Sequence, residues 1–195
     1  MFTRIVDCAI SAVVLLVLCP FSLIIAFLIK VEDGGPIFYR AQRVGKQNKL
    51  FYLYKFRSMI VNADQVGAGV TIKGDSRITR IGRILRKYKI DEFPQFINVL
   101  IGDMSIVGAR PEDPRYVALY NTPQRKILLH KPGITSPASL TYRHEESLLA
   151  GENWEQVYIE QVLPDKLAID LEYLSTRSIQ SDIHIISKTL FAVIQ

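Results

Sequence analysis

The sequence predicts an α+β fold, a mostly helical, membrane-associated domain with one short antiparallel hairpin behind an N-terminal apolar helix. Three observations carry that prediction. From Ile5 to Ile29 the chain is almost continuously apolar, broken only by Asp7, Cys8, Ser11, Cys19, Pro20 and Ser22. Two aromatic-rich runs, Ile37-Phe38-Tyr39 and Leu50 to Phe56, are joined by a polar connection containing Gly45, Lys46, Gln47 and Asn48, which is the pattern of a hairpin. Beyond them apolar residues recur at helical spacing, and no repeat, low-complexity tract or long linker divides the chain. The 195 residues therefore divide into a membrane helix over 1–30 and one domain over 31–195.

Taken in order, the charge-free part of the apolar run, Ala9 to Ile29, would be roughly 30 Å long as a helix, enough to cross a bilayer. It exceeds the ~7–15 residues of a secretory signal core, and no small-x-small cleavage site closes it. Leu18 and Pro20 also flank Cys19 where a lipoprotein signal carries small residues. Pro20 removes a backbone donor in mid-run, so a kink is expected there. Arg4 precedes the run and Lys30, Arg40, Arg43, Lys46 and Lys49 follow it, which favours keeping both ends in the cytoplasm. A plain span stays open, because proline is tolerated in spanning helices. Asp7 is tolerable at the interface, with Arg4 one helical turn away as a partner.

Asp33-Gly34-Gly35-Pro36 is a turn that ends this element. The hairpin follows and closes on Lys55-Phe56-Arg57, two cations on one strand face, which is either a solvated face or a phosphate clamp. Asn62 to Gly74 reads as a loop that can act as a mobile cover. Ile78, Ile81, Ile84, Leu85 and Tyr88 form the apolar face of a helix capped by Thr79, with Arg80, Arg83, Arg86 and Lys87 opposite. In the next helix Asp91 is the cap, Glu92 and Pro94 sit in the first turn, and Phe93, Phe96, Ile97 and Leu100 form the apolar face before Gly102 stops it. A short strand from Asp103 to Val107 and a turn at Gly108-Ala109-Arg110-Pro111 come next. Helices from Asp165 and from Ser181 complete the chain, the last either packing in the core or lying at the membrane interface.

Lys+Arg 24 against Asp+Glu 19 gives a net charge of +5, which suits anionic lipid or phosphate. Nucleic acid is a poor partner, since the basic residues adjoin a membrane segment and form no recognisable binding motif. Both cysteines lie in the apolar run, and His130, His144 and His184 are scattered, so neither a disulfide framework nor a zinc site is indicated. The most informative polar feature is Asp91-Glu92. It follows the stretch from Arg77 to Lys89, whose cations are Arg77, Arg80, Arg83, Arg86, Lys87 and Lys89 and which holds no acidic residue. Starting a helix is the ordinary meaning of such a pair. The other meaning is a carboxylate kept ionised where a phosphate-bearing substrate is drawn in.

Further motifs bear on that choice: Gly35-Pro36-Ile37-Phe38, Gln42-Arg43-Val44-Gly45, Lys55-Phe56-Arg57-Ser58-Met59, Arg77-Ile78-Thr79-Arg80-Ile81-Gly82, Asp91-Glu92-Phe93-Pro94-Gln95, Asn98-Val99-Leu100 and Gly102-Asp103-Met104-Ser105. In this order they resemble the bacterial sugar transferase family, and more narrowly a small monotopic phosphoglycosyl transferase, over roughly residues 1–135. The resemblance implies an enzyme on the cytoplasmic face of the bacterial inner membrane. It would move a phosphosugar from a UDP-sugar to a polyprenol phosphate such as undecaprenyl phosphate, initiating glycoconjugate or exopolysaccharide synthesis. It implies Asp91 as nucleophile of a covalent intermediate, Glu92 with Asp91 at a Mg²⁺ ion, and an apolar helix that re-enters the membrane at Cys19-Pro20 rather than spanning it.

Lys55, Arg57 and Arg110 are then the first candidates for phosphate binding, with Arg43, Arg77 and Arg86 behind them. Relatives usually carry Ser before the breaking proline, where this chain has Cys19. Ser136-Pro137-Ala138-Ser139 also departs from the family pattern, in a region expected to touch the donor. Two other readings of the residues stand beside this one, a metal-dependent nucleotide-sugar hydrolase using Asp91-Glu92 as acid and base, and a non-catalytic membrane-anchored basic module.

Overall fold

The structure is a computed structural model that describes residues 2–63, 74–149 and 153–194. Most of the expected cover, residues 64–73, lies outside them. The apolar run forms one long helix, α1 (Phe2–Asp33), with Pro20 inside it. Gly34 ends it in the left-handed region, at φ 72, donating its N–H to the Lys30 carbonyl at 2.9 Å. A residue without a Cβ is the usual helix stop of this kind. α1 is long and apolar enough to cross a membrane, and only 6% of its apolar window is buried. Asp7, Ser11 and Ile29 are its buried residues, spaced so that they share one stripe facing the domain.

The predicted hairpin is present as β1 (Phe38–Val44) and β2 (Leu50–Phe56), antiparallel with Phe38 opposite Phe56 and Val44 opposite Leu50. Gln47 and Asn48 at its tip are both left-handed, φ 57 and 61, and the Gly45 N–H closes the loop on the Lys49 carbonyl at 2.8 Å. One face of the hairpin sends Ala41 and Leu53 into a core with Val99, Met104, Ile106, Tyr173 and Ile185. Phe56, at the end of β2, reaches a separate cluster with Ile29 and Leu85, so the hairpin links α1 to the rest of the fold.

Helix α2 (Arg80–Lys87) starts as predicted, the Thr79 hydroxyl accepting from the Gly82 N–H at 2.9 Å. A Cβ on Gly82 would lie 2.0 Å from the Ser58 carbonyl oxygen, so glycine is what lets α2 approach the end of β2. Helix α3 (Gln95–Ile101) stops at Gly102, φ 107, as the sequence predicts; Phe93 and Phe96 pack against the cores as expected, but polar residues join the inward side. Its buried residues are Gln95, Asn98 and Val99, whereas Leu100 and Ile101 are exposed. Asn98 turns inward because both ends of its amide meet backbone groups of β2, and Leu100 and Ile101 are left outside.

The strand after α3 is β3 (Ser105–Val107), and it pairs in parallel with β4 (Gly133–Thr135), a pairing that local patterning did not reveal. Helices α4 (Leu163–Thr176) and α5 (Ile179–Ile194) follow. α4 packs Leu163 and Leu167 into a core with Tyr116, Tyr120 and Tyr158. Ile179, Ile183, Leu190 and Phe191 of α5 stay exposed.

Candidate active site

The site is built where α2 hands over to α3. Lys89 adopts a left-handed conformation, φ 55, uncommon for a residue with a side chain, and this reverses the chain into the single turn Ile90–Glu92. The turn brings Asp91 inward to 4% exposure. Asn98 then fixes α3 against the hairpin: its side-chain oxygen accepts from the Tyr54 N–H at 3.0 Å and its amide donates to the Tyr52 carbonyl at 2.7 Å. Those bonds lie just before Lys55 on β2, and the Lys55 ammonium lies 3.0 Å from Glu92 Oε1. From the turn after β3, Arg110 donates Nη1 to Glu92 Oε2 at 3.0 Å and Nη2 to Oε1.

Asp91, Glu92, Lys55 and Arg110 therefore form one group. Arg86 is close enough to act electrostatically on Asp91, and its Nη2 pairs with Glu146 while its Nε is buried without a partner. The other candidate cations are elsewhere. Arg57, past the end of β2, pairs with Asp33 at the end of α1. Arg43 pairs with Asp113 at 3.2 Å, and Arg77 with Asp75, Nε to Oδ1 at 2.9 Å. Each of these three cations thus has an acidic partner other than Asp91 and Glu92.

The two carboxylates differ in state. Burial pushes the Asp91 carboxyl above its ordinary range, and Lys55 only partly counters this. A side chain resting on a helix start was expected to remain readily ionised; in the fold Asp91 caps nothing, since the first residues of α3 have no side-chain cap. For Glu92 burial also acts upward, but Arg110 and Lys55 outweigh it and hold the carboxyl well below the usual range. Burial in turn lowers the Lys55 ammonium. Asp91 is therefore the more basic of two adjacent carboxylates, and Glu92 is the permanent anion.

Mg²⁺ fits one of the two. Asp91 Oδ1 is buried with no hydrogen-bond partner, the kind of orphan oxygen that a cation or a substrate group satisfies. Glu92 has both oxygens occupied by Lys55 and Arg110, so it fits a metal only after they let go. Among the described residues no group of three or more His, Cys, Asp or Glu stands ready to hold an ion. A Mg²⁺ ion here would take its remaining ligands from water and substrate phosphate, its common habit.

Sequence reasoning did not single out Asn98, Gln95 or Arg4 as contributors. Gln95 is fully buried, and neither polar atom of its side chain has a partner. Arg4 donates to the carbonyls of Val99 and, at 2.9 Å, Leu100, satisfying the open C-terminal end of α3. Asp7 is not paired with Arg4 but is set against the Ser105 side chain and the Ile106 backbone. A signal for Asn98 was available: it is a polar residue at an inward position of a short helix, three residues after Gln95.

The bacterial sugar transferase family model matches residues 1–195; the likeness thus extends over the whole chain and not only over its first two thirds. The chain is 37% identical to a UDP-N-acetylgalactosamine-undecaprenyl-phosphate N-acetylgalactosaminephosphotransferase of Aeromonas hydrophila, over 90% of the chain and 39% of that protein. It is also 37% identical to a UDP-glucose:undecaprenyl-phosphate glucose-1-phosphate transferase of Xanthomonas campestris pv. campestris, over 96% of the chain and 38% of that protein. An exopolysaccharide production protein, ExoY, of Sinorhizobium fredii is 31% identical over 96% of the chain and 83% of its own length. The chain spans about two fifths of the length of the first two of these curated relatives.

Proposed function

The chain belongs to the bacterial sugar transferase family, and from that premise we propose that it is a phosphoglycosyl transferase moving a phosphosugar from a UDP-sugar to a polyprenol phosphate. The observation that carries this reading is the pairing of Asp91, buried with an orphan oxygen, with an adjacent anion that holds Lys55 and Arg110 in place. The relatives' names supply the substrate classes, a UDP-sugar donor and undecaprenyl phosphate.

In the proposed chemistry the donor's diphosphate lies against Lys55, Arg110 and Arg86. An Asp91 oxygen forms a bond to the sugar-bearing phosphorus, the bridging P–O bond breaks, and its electron pair leaves with UMP. This gives an acyl phosphate on Asp91. An oxygen of the polyprenol phosphate then bonds to the same phosphorus, the carboxylate leaves, and a polyprenyl diphosphosugar is released. Splitting the displacement in this way is nucleophilic catalysis. Mg²⁺, when bound, would neutralise charge on the diphosphate and on the departing UMP, usually the dominant contribution in phosphoryl transfer. The high proton affinity of Asp91 sharpens its nucleophilicity once it is ionised, and Lys55 and Arg86 are the neighbouring cations that favour its ionisation.

The same reading places the enzyme on the cytoplasmic face of the inner membrane with α1 re-entering. Both ends of α1 are tied to the domain, Arg4 to Val99 and Leu100, Ile29 to the cluster with Phe56 and Leu85. Val99 and Leu100 lie on α3, Phe56 on β2 and Leu85 on α2, and Asn98 joins α3 to β2 directly. A straight helix would hold Arg4 and Ile29 about 37 Å apart, so a bend at Pro20 is the natural way to meet both. The exposed middle of α1 and the exposed Ile84, Tyr88, Ile101, Ile183 and Phe191 supply apolar surface for the lipid.

The test is a panel of UDP-sugars, each with Mg²⁺ and with or without undecaprenyl phosphate. UMP release together with a lipid-linked sugar supports the reading. Sugar release without the lipid acceptor means a hydrolase, and no product with any donor means a binding module.

A further inference from the structure

Resting on the UDP-sugar reading above, we propose that Glu92 is an internal stand-in for the donor's diphosphate: it holds Lys55 and Arg110 until the diphosphate takes them over, and only then offers its carboxylate to a divalent cation. The basis is occupancy. Glu92 Oε1 accepts from Lys55 and from Arg110, and Oε2 accepts from Arg110 at 3.0 Å. The two-pronged contact of a guanidinium with a carboxylate has the same form as its contact with a phosphate, so a diphosphate can replace Glu92 with little rearrangement of the cations.

A divalent ion binds carboxylate oxygen at about 2.0–2.1 Å, using the lone pairs that the ammonium and guanidinium now occupy, and three cationic groups on one carboxylate repel one another. Metal and clamp therefore compete for Glu92. Arg110 is the freer partner, its side chain 33% exposed against 20% for Lys55. Asp91 is not part of this exchange, for its Oδ1 carries no partner, and it stays available for chemistry while the cations change hands. The consequence is reciprocal coupling: nucleoside diphosphate and metal each strengthen the binding of the other, because the first removes the cations that exclude the second.

The test uses Mn²⁺ as the probe, with the free ion counted by electron paramagnetic resonance on the full chain in lipid nanodiscs, without nucleotide. Arg110→Met and Lys55→Met should each tighten Mn²⁺ binding about tenfold over wild type, within the usual range of such couplings. Adding Glu92→Gln to either should abolish the gain. Wild-type affinity in both single variants would overturn the proposal, as would a gain that survives Glu92→Gln, which would mean that Asp91 alone takes the ion. UDP binding to the wild type with Mn²⁺ present is measured separately by calorimetry. No UDP binding would overturn the donor reading, and the nucleotide-free Mn²⁺ comparison would still decide the role of Glu92.

Discussion

At the scale of single residues the site sets two neighbouring carboxylates to opposite tasks through their surroundings. Asp91→Asn keeps the shape of the side chain but not its nucleophilicity, and should lower kcat by about a thousandfold or more, read as UMP release in the presence of both substrates. The same change should make the protein more stable. A buried carboxyl with raised pKa binds protons more readily folded than unfolded, so its contribution to stability falls as pH rises from the ordinary value of 3.8 toward the raised one. Removing that charge should lift Tm near neutral pH, by roughly 2–4 °C for each kcal/mol in a domain of this size. An unchanged or lower Tm with normal spectra would argue that Asp91 is not destabilised by its burial.

Activity should follow the opposite sign, because in the proposed chemistry only the ionised carboxylate attacks. kcat/KM should fall as pH drops through the raised pKa of Asp91, giving an acid limb above the ordinary carboxylate range. Glu92 should not contribute to that limb, since Arg110 and Lys55 hold it ionised to lower pH. Asp91-Glu92 itself was legible in the sequence, because two adjacent acids after a run of cations are a local signal. Of the three cations ranked first, Lys55 and Arg110 meet Glu92, while Arg57 pairs with Asp33. The partners of Arg43 and Arg57 were not legible, because Asp113 and Asp33 lie far from them in sequence.

Among the elements, α3 shows where pattern reading fails for a physical reason. Apolar periodicity identifies a helix and an apolar side, but it does not say whether that side meets a core or a lipid. Here the buried side carries Gln95 and Asn98, and exposed Leu100 and Ile101 lie outside. The hairpin and α2 were readable because turn residues and the Thr79 cap act over a few residues, whereas the parallel pairing of β3 with β4 joins segments far apart in sequence. Asn98→Ala should remove both links between α3 and β2 and destabilise the protein by about 2 kcal/mol, measured by thermal unfolding. Activity should fall further than stability alone explains, because Lys55 and Glu92 are held in register by those links. Full activity in Asn98→Ala would show that the register is set elsewhere.

At the scale of the whole molecule, the long apolar helix and the rest of the chain are joined at both ends of α1 by Arg4, Ile29 and the Arg57 pair with Asp33. Met1 and Gln195 should therefore label from the same, cytoplasmic side of the membrane, and Pro20→Leu should favour spanning and lower activity by drawing the Arg4 end away from α3. Wild-type ends labelled from opposite sides would refute the re-entrant geometry without touching the chemistry. That chemistry is the central claim, and intact-protein mass spectrometry after mixing the enzyme with its UDP-sugar and Mg²⁺, with no lipid acceptor, tests it most directly. The account predicts a mass increase of one phosphosugar on Asp91, absent from Asp91→Asn and discharged when undecaprenyl phosphate is added. No adduct from an enzyme that is fully active with acceptor present, together with kinetics requiring both substrates bound at once, would contradict it.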